Sequence, residues 1–170
     1  MLSAKQNYPE FSTWQWKTFA DSLSINPIEF IEARKSDHMF FIGTDSQHHK
    51  CEKKHTCTFT SAIVAYKRGK GGVSIVHSDK CGKIDSLRQR LVMEAMRSLE
   101  CAWFLDKLIN TQKTTVNICR PHIHLDVNPN EKHASSKYKQ ELVGMIAAQG
   151  YDVSCKPNAW AASSLADRRC

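Results

Sequence analysis

Apolar positions along the chain change their period several times, and each change marks an element. Residues 39–46, Met39-Phe40-Phe41-Ile42-Gly43-Thr44-Asp45-Ser46, form an apolar run with high β-propensity, which predicts a buried strand. A polar stretch from Gln47 to His55 follows, and residues 56–67 then alternate as a second strand. The turn Arg68-Gly69-Lys70-Gly71-Gly72 leads into a third strand, Val73 to His77. Three strands joined by short polar links predict an antiparallel meander. From residue 85 to 109 the period becomes helical: Leu87, Leu91, Ser98, Cys101, Leu105 and Ile109 share one arc, while Gln89, Arg97, Glu100 and Lys107 take the solvated one. Thr115 to Asp126 reads as a strand, Ser135 to Gln149 as an amphipathic helix ended by Gly150, Tyr151 to Lys156 as a short strand stopped by Pro157, and Ala159 to Arg168 as a last helix.

Upstream, two helix starts are readable. Ser12 with Gln15 resembles a capping box, followed by Trp16, Phe19, Ala20 and Leu23 at helical spacing. Asn26, Pro27 and Glu29 suit the N-cap, N1 and N3 positions, with Phe30 and Ile31 facing inward. Residues 1–37 are therefore expected to form a helical extension, and 38–170 the main domain. The order β-β-β-α-β-α-β-α predicts an α/β fold: a mixed five-stranded sheet, three strands in the meander and two parallel, flanked by helices.

Against this pattern four carboxylates stand out. Asp45 and Asp126 each end an apolar strand, Glu94 lies on the inner arc of the long helix, and Asp167 lies in a terminal helix of small residues. Buried acids are costly unless paired, protonated or bound to metal. Each has a plain alternative: Asp45 and Asp126 as turn-closing residues, Glu94 as a core acid paired with an arginine, Asp167 as a helix-end acid opposing Arg168 or Arg169. Brought together, the four would make a hard-oxygen site suited to Mg²⁺ or Mn²⁺.

Composition bounds the remaining choices. A chain of 170 residues, 41% hydrophobic and 24% charged, fits one folded domain with a sizeable core. No apolar run approaches the ~20 residues that span a bilayer, and the opening residues lack the apolar core of a signal peptide, which predicts a cytoplasmic protein without a membrane partner. Seven scattered cysteines without a CxxC pair predict reduced structural thiols. The net charge of +7 points to a polyanionic partner, most simply nucleic acid. Acids able to hold metal within a basic surface are what phosphodiester chemistry requires.

The motifs Ile42-Gly43-Thr44-Asp45-Ser46-Gln47, His124-Leu125-Asp126-Val127-Asn128-Pro129, Ser135-Ser136-Lys137, and Lys156-Pro157 through Ala162-Ser163-Ser164-Leu165-Ala166-Asp167-Arg168 resemble those of the YkuK-type ribonuclease H-like family, over roughly residues 38–169. The resemblance implies a ribonuclease H fold with Asp45 bridging two metal ions, Mg²⁺ or Mn²⁺, Glu94 and Asp126 on one ion and Asp167 on the other. It implies a nuclease hydrolysing phosphodiester bonds in RNA, an RNA–DNA hybrid or structured DNA. Ser46, Gln47, His124, Asn128, Lys156 and Arg168 are the candidate nucleic-acid contacts. Ribonuclease H enzymes carry a mobile histidine before the last acid; here the loop reads Lys156-Pro157-Asn158, and Lys156 is the candidate phosphate contact in its place. The alternative is a nucleic-acid-binding module of the same fold without useful catalysis.

Other groupings have weaker claims. His48, His49, Cys51, His55 and Cys57 are zinc-type ligands, but their spacing matches no standard finger or knuckle. Lys67, Arg68 and Lys70, or Lys80, Lys83, Arg88 and Arg90, suit phosphate contacts or simply a solvated face. Trp14, Trp16, Trp103 and Trp160 suit base stacking or core packing.

Overall fold

A computed structural model of the chain describes residues 13–51, 54–110 and 120–161. Its frame is a seven-stranded mixed sheet, two strands more than expected. The central strand β3 (Met39–Cys51) pairs antiparallel with β4 (Lys54–Lys67), and β4 pairs antiparallel with β5 (Gly71–Cys81). On its other side β3 pairs in parallel with β6 (His122–Leu125), and β6 in parallel with β7 (Val153–Cys155). These five strands are the expected meander plus parallel pair.

The two additional strands come from the region expected to be helical. β1 (Trp16–Thr18) and β2 (Ser24–Ile25) form a small hairpin, and β1 extends the sheet by pairing with β5, Lys17 opposite Val76 and Thr18 opposite Ile75. The helical spacing of Trp16, Phe19, Ala20 and Leu23 was misleading because an unpaired β5 edge offers a ladder that a helix cannot satisfy. Trp16 is buried to 1% exposure in the main core, whereas Leu23 stays exposed. The second helix start is correct: α1 (Pro27–Glu32) begins after Asn26, whose Oδ1 accepts the Ile28 amide at 3.0 Å.

Within the polar stretch 47–55, residues 47–51 and 54–55 are strand rather than loop. Gln47 pairs with Thr58, His48 with Cys57 and His49 with Thr56, so β3 and β4 make one long ribbon. Ladder hydrogen bonds are indifferent to side-chain polarity, and an outward-facing ribbon needs no apolar stripe. The long helix α2 (Leu87–Asn110) lies across the sheet, with Leu91, Ala95, Leu99, Ala102 and Leu105 buried against Phe40, Ile42, Ile63 and Ile123. Arg97 and Glu100, expected in solvent, are half-buried; the Arg97 guanidinium lies over the Phe59 ring at 4.4 Å and pairs with Asp79. The next helical segment is a 3₁₀ turn, Ser136–Tyr138, running into α3 (Lys139–Ala147). Expectations for residues 111–119 and for the last helix beyond residue 161 lie outside the described residues.

Candidate active site

The parallel register of β3 and β6 carries the arrangement. Thr44 pairs with Leu125, so Asp45 and Asp126 follow as the next residues on neighbouring strands. Pleating alternates the two faces. Ile42, Thr44 and Ser46 are buried on the face that α2 covers, and Asp45 is turned to the other, where Phe41 meets His122, His124 and Trp160.

Helix α2 presents Glu94 to Ser46, inside β3 and two residues past Thr44. The side chain is 5% exposed, and Oε1 accepts a hydrogen bond from the Ser46 hydroxyl at 2.5 Å. One turn further along, the Ser98 hydroxyl donates to Thr44 Oγ1 at 3.0 Å, which in turn shares a hydrogen bond with Ser61 Oγ, also at 3.0 Å. A short polar column thus replaces the apolar seam between helix and strand. Thr44 and Ser46, which continue the inward face of Ile42 at a spacing of two, are the trace of this column in the sequence.

Burial pushes the Glu94 carboxyl up to about 8. The charges of Asp45 and Asp126 push it in the same direction, while the Ser46 hydrogen bond and the charge of Arg90 oppose them. Both aspartates are therefore near enough for their fields to act on Glu94. Among the described residues Glu94 makes no ion pair; Arg90, one turn back on α2, acts only through its field. A core glutamate held by an arginine is not what the fold contains.

Asp126 is 16% exposed, and Lys156 Nζ stands 2.5 Å from its Oδ1. That oxygen is shut off from solvent and receives no aligned hydrogen bond, so the contact is charge pairing without hydrogen-bond directionality. Lys156 reaches it because it follows β7 as Asp126 follows β6, and its amide donates to Val127 O at 3.2 Å.

The candidate nucleic-acid contacts divide. Ser46 and His124 are corrected: both face inward. Ser46 is committed to Glu94. His124 is 2% exposed, its Nδ1 accepts the Ala161 amide at 3.1 Å, and burial, helped by the neighbouring His122, pulls its pKa down to about 4. It is a neutral packing residue with its proton on Nε2. Gln47 and Asn128 are half-buried, and Asn128 Oδ1 closes a turn by accepting the Asn130 amide at 3.0 Å. Asn128, Pro129, Lys156 and Pro157 line a shallow hollow of about 350 Å³ beside Asp126. Asp167 and Arg168 lie outside the described residues.

The donor chemistry of Asp45, Glu94 and Asp126, with a buried carboxylate oxygen lacking an aligned donor, fits a hard divalent cation. Among the described residues, however, no three His, Cys, Asp or Glu side chains stand close enough together to hold an ion. The zinc alternative loses its geometry. His48 and His49 are consecutive in a strand and point to opposite faces, and Cys57 is buried with Phe59 and Ile84; the side chains of Cys51 and His55 lie outside the described set. Several candidate phosphate contacts have acidic partners: Lys67 pairs with Asp37, Lys83 with Asp85 and Arg88 with Glu141. Trp16 is core and Trp14 stacks on His77, whereas Trp103 and Trp160 are more than one-third exposed. No helix among the described residues is long and apolar enough to cross a membrane.

Comparison with known proteins agrees with this frame. The uncharacterized protein YkuK of Bacillus subtilis (strain 168) is 26% identical over 144 residues, covering 79% of this chain and 80% of the relative. No solved structure matches. The family model described as Ribonuclease H-like matches residues 25–170, which takes in α1 as well as the domain expected from residue 38. With Asp45 and Asp126 next after the last paired residues of the parallel β3–β6 ladder and Glu94 buried on the helix that covers β3, the chain belongs to the ribonuclease H-like family, of the YkuK type.

Proposed function

We propose that the protein is a divalent-metal-dependent nuclease that hydrolyses phosphodiester bonds in RNA, an RNA–DNA hybrid or structured DNA. The observation that carries this reading is Glu94: a buried carboxyl, without an ion pair, in the fields of two further carboxylates. Such like-charge crowding destabilises a fold unless something else uses it. Asp45, Glu94, Asp126 and Asp167 would hold two Mg²⁺ or Mn²⁺ ions. Bound there, the ions would supply an activated water and stabilisation of the departing 3′ oxygen.

The chain's own residues prepare this site. Ser46 fixes the orientation of Glu94 through its hydroxyl. Glu94, with its pKa raised to about 8, must release its proton to act as a ligand, so metal binding near neutral pH is coupled to proton release. His124, neutral and buried, holds the Ala161 amide and so anchors the chain just before the segment that carries Asp167. Lys156 and Asn128 border the hollow where a phosphate of the strand would approach.

Purified protein is expected to cleave at least one of these substrates with Mg²⁺ or Mn²⁺ and not with EDTA, and Asp45→Asn should reduce cleavage to background. Undiminished cleavage by the variant would remove this reading. A second reading has one observation in its favour, the Lys156 ammonium already against Asp126. It holds that the protein binds nucleic acid without cutting it. That reading predicts salt-sensitive binding, no metal-dependent cleavage and little effect of Asp45→Asn.

A further inference from the structure

Asp126 has two claims on its charge. The proposed function gives it to a metal ion; the structure gives it to Lys156, whose ammonium lies 2.5 Å from Oδ1. The contact is built into the backbone. Asp126 and Lys156 occupy equivalent positions one residue past Leu125 and Cys155, which are paired in the parallel β6–β7 ladder, and the Lys156 amide is bonded to Val127 O. The two partners differ in environment: Asp126 is 16% exposed and its Oδ1 has no solvent contact, while Lys156 is 39% exposed. A carboxylate so enclosed needs a cation, whereas the lysine can leave for water on a flexible stem. The hollow bordered by Asn128, Pro129 and Pro157 gives the freed ammonium a place to go.

We propose that Lys156 is an internal counter-ion that competes with the divalent cation for Asp126, so that metal binding must displace its ammonium into the adjoining hollow. The inference rests on the reading of Asp126 as a metal ligand and assigns a regulatory role at that same site. Removing the ammonium should raise metal affinity, the opposite of what loss of a ligand does. Exchange of one partly exposed ion pair implies a gain of roughly two- to fivefold.

The test is Mn²⁺ binding to the full chain by titration calorimetry, at one pH and ionic strength, for the wild type, Lys156→Gln, Lys156→Met, Asp126→Asn, and Asp126→Asn with Lys156→Gln. Circular dichroism verifies folding, and two Lys156 variants guard against one that fails to fold. The proposal expects both Lys156 variants to bind Mn²⁺ about two to five times more tightly, and Asp126→Asn to cancel the gain. Amine acetylation of Lys156 in the wild type, followed by mass spectrometry, should accelerate when Mn²⁺ is added. Equal Mn²⁺ affinity in the wild type and both Lys156 variants, with binding lost in Asp45→Asn, overturns the competition and leaves the metal site standing. Saturable binding in none of the proteins overturns both.

Discussion

Glu94 is the residue on which the energetics of the site turn. Its carboxyl is an acid whose value in the fold, about 8, lies above its ordinary 4.5. The fold therefore favours the protonated form. That contribution is complete below about pH 4.5 and is lost as pH rises through about 8. In EDTA, urea denaturation should show stability falling across this window by an amount on the order of a few kcal/mol. Glu94→Gln, a neutral near-isostere that can still accept from Ser46, should flatten the curve. A wild-type curve already flat between pH 5 and 8 would mean that Glu94 ionises without penalty. The sequence placed Glu94 on the inner arc of its helix because helical phase can be read residue by residue. It did not reveal Ser46 as its partner, since that contact spans 48 positions and depends on how α2 seats on β3.

Among the elements, the N-terminal hairpin is where local pattern and tertiary structure disagree most. Trp16 to Leu23 carries a helical repeat, yet Trp16 packs in the core from a three-residue strand, with its ring 5.7 Å from His77 and 6.0 Å from Trp14. If the hairpin belongs to the cooperative unit, Trp16→Ala should cost about 3–5 kcal/mol in urea denaturation, the usual range for a large buried aromatic. A loss below about 1 kcal/mol would mean that β1 and β2 are an appendage frayed from the sheet. By contrast, α2 was readable to within a few residues, because 24 residues of amphipathic period leave little room for another assignment. The strand carrying Asp126 was readable at its end: His122 to Leu125 pairs as expected, and Asp126 follows.

At the scale of the whole molecule, the net charge of +7 coexists with three carboxyl groups whose charges act on one another, Asp45, Glu94 and Asp126. Lys67, Arg88 and Lys156 are engaged with acids, but the net charge already subtracts those acids, so the excess of cations stays available to a phosphate backbone. Binding of an oligonucleotide to Asp45→Asn, used to prevent cleavage, should still weaken about tenfold or more between 50 and 200 mM salt if several phosphates are contacted. Fluorescence anisotropy across a salt series measures the slope. A slope near zero would separate the basic composition from the function.

Local sequence by itself determined the five-strand order, the phase of α2 and the Asn26 cap, because each depends on spacing or propensity within a short window. Tertiary structure alone decided that β1 covers the β5 edge, that the polar residues 47–51 pair with 54–58 as a ribbon, that Ser46 and His124 turn inward, and that Lys156 meets Asp126. Those outcomes rest on strand register and on how a helix seats against a sheet. Both are settled by the packing of segments far apart in the chain, and no window of neighbouring residues contains that information.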